Sequence, residues 1–156
     1  MTIRVGQGFD VHAFSDDPRR GLVLGGVAVP GQGLAGHSDA DVVCHAIIDA
    51  LLGAAGAGDI GTMFPDTGPA YAGADSFHLL VVALERISPP WRAVNVDCTV
   101  IAEAPRLAAY RDAMQQRLGD ALGAPVSVKA KRAEALGALG RGEGIACLAV
   151  ALLEEI

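Results

Sequence analysis

Aromatic side chains are scarce in this sequence, 4% against 51% hydrophobic residues overall, so the core has to be built from Ala, Val, Leu and Ile. That composition is apolar for 156 residues, the length of one domain able to bury its own core, and it points to apolar surface shared with a second copy. Positive charge is also short. The formal net charge of -6 argues against a nucleic-acid or anionic-membrane partner held by bulk attraction. An anionic ligand would have to be neutralised locally, by a metal, a helix end or a few Lys and Arg. Cysteine occurs only as Cys44, Cys98 and Cys147, with no CxxC pair. Disulfides and thiolate zinc are thereby disfavoured, and buried free thiols in a reducing compartment are expected. No apolar run reaches about 18 uninterrupted residues, and the opening MTIRVGQGFDVH has no signal core, so a soluble cytoplasmic protein is expected. Repeats, linkers and low-complexity segments are missing too, which leaves one domain over residues 1–156 as the expectation.

What is present is organised around HSDADVVCHAIIDALLGAAGAGDIG, His37 to Gly61. Ser38 is a good N-cap with Asp41 three residues on, and Val42, Val43, Ala46, Ile47, Ala50 and Leu51 recur at helical spacing. A helix is predicted to start at Asp39 and to end among Gly53, Gly56 and Gly58. On it Asp41 and His45 are one turn apart, while His37 and Ser38 would sit at the N-terminus, where free N–H groups favour an anion. Upstream, Ile3 to His12 reads as a strand whose Asp10 and His12 point to one side. One carboxylate and one imidazole on a strand, with His45 from the helix, make a three-ligand set with an open fourth position, the pattern of a catalytic metal.

The remaining chain alternates strands and helices. Leu22 to Val29 reads as an extended segment ended by Pro30, and Asp59 to Thr67 as a Gly-, Pro- and Asp-rich loop suited to presenting carboxylates and backbone groups. Asp75 and Ser76 cap a second helix stopped by Pro89 and Pro90. Val94 to Ala102 is a strand by its β-branched run. A third helix carries Leu107, Tyr110, Met114, Leu118 and Leu122 on one face. Val126 to Ala130 is a strand that empties into Lys129, Lys131 and Arg132. Ile145 to Leu153 reads as a buried strand, although periodicity alone also admits a helix. The fold class expected is α/β, a single-layer mixed sheet packed with helices.

The motifs FDVHAF, AGHSDADVVCHAIIDALLGAAGAGDIG, FPDT, GADS, AEAPR and LGALGRGEGIACLAVALL resemble, in order and along nearly the whole chain, the 2-C-methyl-D-erythritol 2,4-cyclodiphosphate synthase family of the non-mevalonate isoprenoid pathway. The resemblance implies a homotrimer with active sites between subunits. It also implies conversion of 4-diphosphocytidyl-2-C-methyl-D-erythritol 2-phosphate into the cyclic diphosphate and CMP.

By matching position, Asp10, His12 and His45 would hold zinc or another divalent ion. His37 and Ser38 would take phosphate oxygens, with His37 also stabilising the transition state. Asp59, Ile60 and Gly61 would lie at the ribose and erythritol hydroxyls, and Phe64, Pro65 and Asp66 in the loop over the methylerythritol moiety. Ala102, Ala104, Pro105, Arg106, Leu107 and Ala108 would recognise cytosine, largely through backbone. Lys131 and Arg132 would meet the diphosphate, Arg132 as a catalytic group, and Glu134 would sit by a second divalent ion, magnesium or manganese. Arg141 and Glu143 match residues near a central channel where the family can hold an isoprenoid diphosphate.

In such a reaction the nucleophile is a phosphate monoester already anionic at neutral pH, so no Ser, Cys or general base is needed. The protein has to bend one flexible molecule and neutralise the charge gathered at the β-phosphorus. The chain departs from the family pattern in KAKRAE, Lys129 to Glu134, where KATTTE or KAKTHE is usual, so Arg132 replaces a Thr. Ala138 replaces a common Phe, and Gln7 a position where some members have His. Arg132 leaves open a same-scaffold enzyme for another nucleotide diphosphate, or a non-catalytic metal-bound trimer binding isoprenoid diphosphates.

Overall fold

The computed structural model describes residues 1–156. Strand β1 (Ile3–Ala13) is followed by a small hairpin of β2 (Leu22–Leu24) and β3 (Val27–Val29), then helices α1 (Val42–Ala55) and α2 (Ile60–Met63). After a 3-10 turn at Pro69–Tyr71 come α3 (Ser76–Ile87), β4 (Trp91–Ile101), α4 (Arg111–Leu122), β5 (Val126–Lys131), α5 (Gly137–Gly140) and β6 (Gly144–Glu155). Four strands form one sheet in the order β1-β6-β4-β5. β6 runs antiparallel to both its neighbours and β4 pairs parallel with β5, so the sheet is mixed, as expected. α1 lies across β1, β6 and β4, α4 beside β5, and α3 behind both helices.

The tail is a strand because its period is two: Ile145, Cys147, Ala149, Ala151 and Leu153 are buried, while Leu148 and Val150 face out. α1 is buried on nearly every side, which suits a sequence hydrophobic all round. All three cysteines are buried free thiols, as expected.

β1 and α1 meet backbone to backbone. The inward residues of β1 are Gly6, Gly8, Asp10 and His12, and a Cβ on Gly6 or Gly8 would fall 1.9 Å from the Ala50 carbonyl oxygen or 1.8 Å from that of Ala46. Only glycine permits that approach, and the facing helix supplies Ala46, Ala50 and Ala54.

Several local expectations are corrected: the third helix begins only at Arg111, so Leu107 and Tyr110 precede it, and the Asp59 to Thr67 loop contains the short helix α2. Helix α1 begins at Val42, with Asp41 rather than Ser38 as its N-cap, because Ala40 adopts a left-handed φ of 59° that no helix can pass through. Leu22 to Val29 is not one extended segment but the β2–β3 hairpin, turned by Gly25 and Gly26 at φ 59° and 72°. Asp41 ties these features together. Its buried carboxylate accepts the N–H groups of Gly25 (2.9 Å), Gly26 (2.7 Å), Val43 (3.0 Å) and Cys44 (3.1 Å). Burial pushes its pKa up, against the pull of those donors.

Adding one methyl group at Gly8 should therefore be destructive. Gly8→Ala is expected to cost at least about 1–3 kcal/mol of stability by overpacking, read as a lower urea midpoint. Gly53→Ala, in an exposed position of α1 with no atom within 4 Å of its added Cβ, should instead stabilise by about 0.4–1 kcal/mol. Equal effects from the two substitutions would contradict the packing described.

Candidate active site

At the open end of β1 the two predicted strand ligands meet the helix ligand. Asp10 Oδ2 lies 3.2 Å from His12 Nε2 and 3.0 Å from His45 Nδ1, and the ligand atoms of all three residues fall within 4.8 Å of one another. No other group of three His, Cys, Asp or Glu side chains in the chain converges this way.

The hydrogen bonds behind the rings fix which nitrogens face inward. His12 Nδ1 is 2.6 Å from the Ala35 carbonyl, which can only accept, so Nδ1 carries the proton and Nε2 turns a lone pair toward Asp10. His45 Nε2 lies 2.8 Å from Ser76 Oγ and 3.2 Å from Ser38 Oγ, leaving Nδ1 to face Asp10. Acceptors that converge in this way are short of a cation, which a proton or a metal ion can supply. Burial raises the Asp10 pKa, but the hydrogen bonds and charges of His12 and His45 outweigh it and hold the carboxyl at about 2. The hydrogen bond to Asp10 raises the His12 pKa above its usual 6.5.

The cluster floors a cleft of about 260 Å³ that also takes in His37, Ser38, Ile60, Gly61, Phe64 and Asp66, all expected in the site. Tyr71 and Leu79 line it as well and were missed. Leu79 reads in sequence as plain core, whereas Tyr71 closes edge-on over Phe64 with ring centroids 5.3 Å apart. The cleft's upper loop is held from below: Asp49, one turn beyond His45, accepts the Ile60 N–H at 2.7 Å. Asp59 caps α2 through the Thr62 N–H at 2.7 Å, which lowers its pKa, and neither it nor Pro65 lines the cleft. His37 reaches the Gly68 carbonyl at 3.1 Å. Because α1 starts at Val42, His37 and Ser38 precede the helix instead of forming its N-terminus. A further missed residue, Arg20, holds their loop by donating to the Leu34 and Ser38 carbonyls at 2.7 and 2.6 Å.

A second cleft, about 430 Å³, lies at the corresponding ends of β4 and β5. It is lined by the expected Ala102, Pro105, Arg106, Leu107, Ala108, Lys131 and Arg132, together with Glu103, Arg111 and Ala130. Its four cations enter no ion pair within the chain, whereas elsewhere Lys129 pairs with Asp97, Arg92 with Glu154 and Arg141 with Glu143. Ala104, Glu134 and Arg141 are exposed and line neither cleft. Arg141 and Glu143 pair with each other at 2.9 Å just before β6.

The chain is similar to known proteins in sequence and in fold. The chain matches the YgbB family over residues 3–154. It is 56% identical to the 2-C-methyl-D-erythritol 2,4-cyclodiphosphate synthase of Azoarcus sp. (strain BH72), covering 96% of this chain and 94% of that protein. Among solved structures it resembles the bifunctional IspDF of Campylobacter jejuni with a TM-score of 0.94 and 40% identity, over 99% of this chain and 43% of that longer one. It also resembles the CDP complex of IspF from Plasmodium falciparum, with a TM-score of 0.84 and 35% identity over 98% and 96% of the two chains.

The raised His12 pKa sets a pH dependence with opposite signs for two measurements. In the metal-free protein the protonated His12 paired with Asp10 contributes stability that is fully present below pH 6.5 and lost as pH rises through the raised value. A metal ion has to displace that proton, so its apparent affinity should rise with pH by about tenfold per unit up to the same value and then level off. Chelator-competition titrations with Zn²⁺ between about pH 6 and 8 measure this directly, and a flat profile would contradict the assignment.

Proposed function

The chain belongs to the YgbB family, and from that premise we propose that it converts 4-diphosphocytidyl-2-C-methyl-D-erythritol 2-phosphate into 2-C-methyl-D-erythritol 2,4-cyclodiphosphate and CMP. In this reaction an oxygen of the 2-phosphate bonds to the β-phosphorus, and the bond from that phosphorus to the oxygen bridging it to the CMP phosphorus breaks. CMP leaves with the bridging oxygen. The observation that carries the reading is the convergence of Asp10, His12 and His45 at one cleft, with four unpaired cations at a second. The name shared by the curated relatives favours this reaction over the same-scaffold and non-catalytic alternatives.

The donor set fits a divalent ion such as Zn²⁺: one carboxylate and two imidazoles, each with one ring nitrogen turned inward, and room in the cleft for a ligand oxygen. When bound, the ion supplies Lewis-acid neutralisation of phosphate charge. His37 and Ser38, on the cleft wall, hold phosphate oxygens and keep the attacking group in line, while Phe64 and Tyr71 exclude water above it. In the second cleft Ala102 to Ala108 receive the cytosine end, and Lys131 and Arg132 neutralise the diphosphate. Glu134 is a lone exposed carboxylate, so a Mg²⁺ or Mn²⁺ beside it would draw its other ligands from phosphate and water. Holding one flexible molecule bent in this way can account for about 7–11 kcal/mol of barrier lowering.

β1, β4 and β5 run in one direction, so both clefts lie at the same end of the sheet, three strand spacings or about 14 Å apart. We propose a homotrimer in which a neighbouring copy completes each site. Its support is the sheet face turned away from α1, where Ile3, Val5, Phe9 and Val11 of β1 and Leu148 and Val150 of β6 are exposed together. Phe9 alone is 51% exposed. An isoprenoid diphosphate beside Arg141 and Glu143 is part of the same proposal, as is the single domain over residues 1–156.

Two outcomes test the reading. Mass spectrometry should detect CMP and the cyclic diphosphate from the authentic substrate, with release lost on chelation and kcat/KM about 10- to 100-fold lower in Arg132→Ala. Turnover untouched by chelation would remove the metal from the account. In solution the protein should have three times the 15.9 kDa chain mass, and Phe9→Lys should reduce it, since a buried ammonium would replace an apolar contact. A wild-type mass of one chain would end the trimer proposal.

A further inference from the structure

Behind the cluster lies a set of side chains that neither cleft uses. Ser76 is fully buried at the first position of α3, and its hydroxyl lies within hydrogen-bond distance of His45 Nε2 (2.8 Å), Ser38 Oγ (3.2 Å) and a carboxylate oxygen of Asp39. Asp39 also accepts the backbone N–H groups of Asp41 at 3.1 Å and Ser76 at 3.2 Å.

The donors and acceptors in this set can be assigned in only one way. An ionised carboxylate only accepts, so the Ser76 O–H donates to Asp39. The Ser76 oxygen is then left as an acceptor, and the ring nitrogen facing it must carry a proton. His45 thereby keeps a proton on Nε2, and Nδ1, 3.0 Å from Asp10 Oδ2, is the nitrogen left to face the ion position. Ser38 fits the same pattern, since its oxygen accepts the Ala40 N–H at 3.1 Å and its own hydroxyl is free to donate to Ser76.

We propose that Ser76 and Asp39 are positioning residues that set the tautomer and direction of His45 and so prepare it to hold a metal ion. The inference rests on the reading of Asp10, His12 and His45 as the ligand set. It assigns a role to the GADS motif and to the first aspartate of HSDAD beyond helix capping. Outer partners of this kind typically change metal affinity by about 10- to 100-fold.

Ser76→Ala removes only the hydroxyl. The start of α3 should survive, because Asp75 supplies its cap through the Phe77 and His78 N–H groups at 2.9 and 3.4 Å. Ser38 Oγ cannot impose the tautomer in its place, since without Ser76 it can donate to His45 as readily as accept. Imidazole ¹⁵N spectra of the metal-free protein should show His45 Nε2 fully protonated in the wild type and only partly protonated in the variant. Chelator competition should show Zn²⁺ bound about 10- to 100-fold more weakly. Asp39→Asn, which keeps Ser76 but places an amide N–H₂ among three donors, should move both readouts the same way. If both variants retain the Nε2–H form and bind Zn²⁺ within about twofold of wild type, against the expected loss, Ser76 and Asp39 have no positioning role. Should Zn²⁺ leave the wild-type His45 Nδ1 resonance unmoved, the metal reading falls, and the tautomer comparison alone still decides what Ser76 does.

Discussion

The close approach of β1 to α1 is the constraint on which the site depends. Gly6 and Gly8 let the strand backbone lie against the carbonyls of Ala46 and Ala50, closer than any side chain would allow. The same inward-facing row of β1 continues two and four residues further as Asp10 and His12, and the residue before Ala46 on the helix is His45. Metal-ligand distances are short, so two ligands on a strand and one on a helix can converge only if the two backbones are already nearly touching. A Cβ on either glycine would push the elements apart and open the site along with the core. The scarcity of large side chains has a geometric use here, because small residues make a thin interface and a thin interface brings opposed ligands into range.

A second constraint fixes where the helix begins. Its first N–H groups are buried, so water cannot satisfy them, and Asp41 satisfies two while reaching across to the glycine turn of the β2–β3 hairpin. Four donors on one carboxylate make its burial tolerable. Asp41 takes the Val43 and Cys44 N–H groups and Val42 to Cys44 are all buried, so this end of the helix is closed to an anion. Charge complementarity for phosphate has to come from the cleft walls and from the unpaired cations of the second cleft instead. An acidic chain can bind a highly anionic ligand on those terms, since the positive charge is gathered where it is needed and not spread over the surface.

Much of this was legible in the sequence, and the parts that were not share a cause. The long elements and the candidate metal triad could be read because their signals are local: a period of two in β1, a helical period in α1 and α3, and DxH on a strand followed by His on a helix. The continuous apolar run of β6, by contrast, has no period of its own to separate strand from helix. The helix start was misplaced because the choice between Ser38 and Asp41 is made by Ala40 turning left-handed and by the glycine hairpin, which lies 15 residues upstream and accepts no prediction from a local window. The β2–β3 hairpin is hidden in the sequence because its Gly25-Gly26 turn sits inside a continuous apolar run. Tyr71, Arg20 and Arg111 were passed over since each is ordinary in its own neighbourhood and acquires a role only through residues far along the chain. The distribution of the expected site residues between two clefts was likewise invisible, being set by the strand order β1-β6-β4-β5, which no spacing along the chain reveals.

The hydrogen-bond pattern around the triad adds a last step. His12 and His45 use different nitrogens toward the ion position, Nε2 and Nδ1, because their outer partners sit on different sides. For His12 that partner is a backbone carbonyl, whose direction is set by the chain entering the loop at Ala35, and it needs no further support. For His45 it is a hydroxyl, which can either donate or accept, so a second group has to remove the ambiguity. Asp39 does so, and it is itself fixed by two backbone N–H groups. A ligand set in which every tautomer is decided by rigid or charged partners loses little order when an ion arrives, and the free energy of binding goes into the contact instead of into arranging the rings.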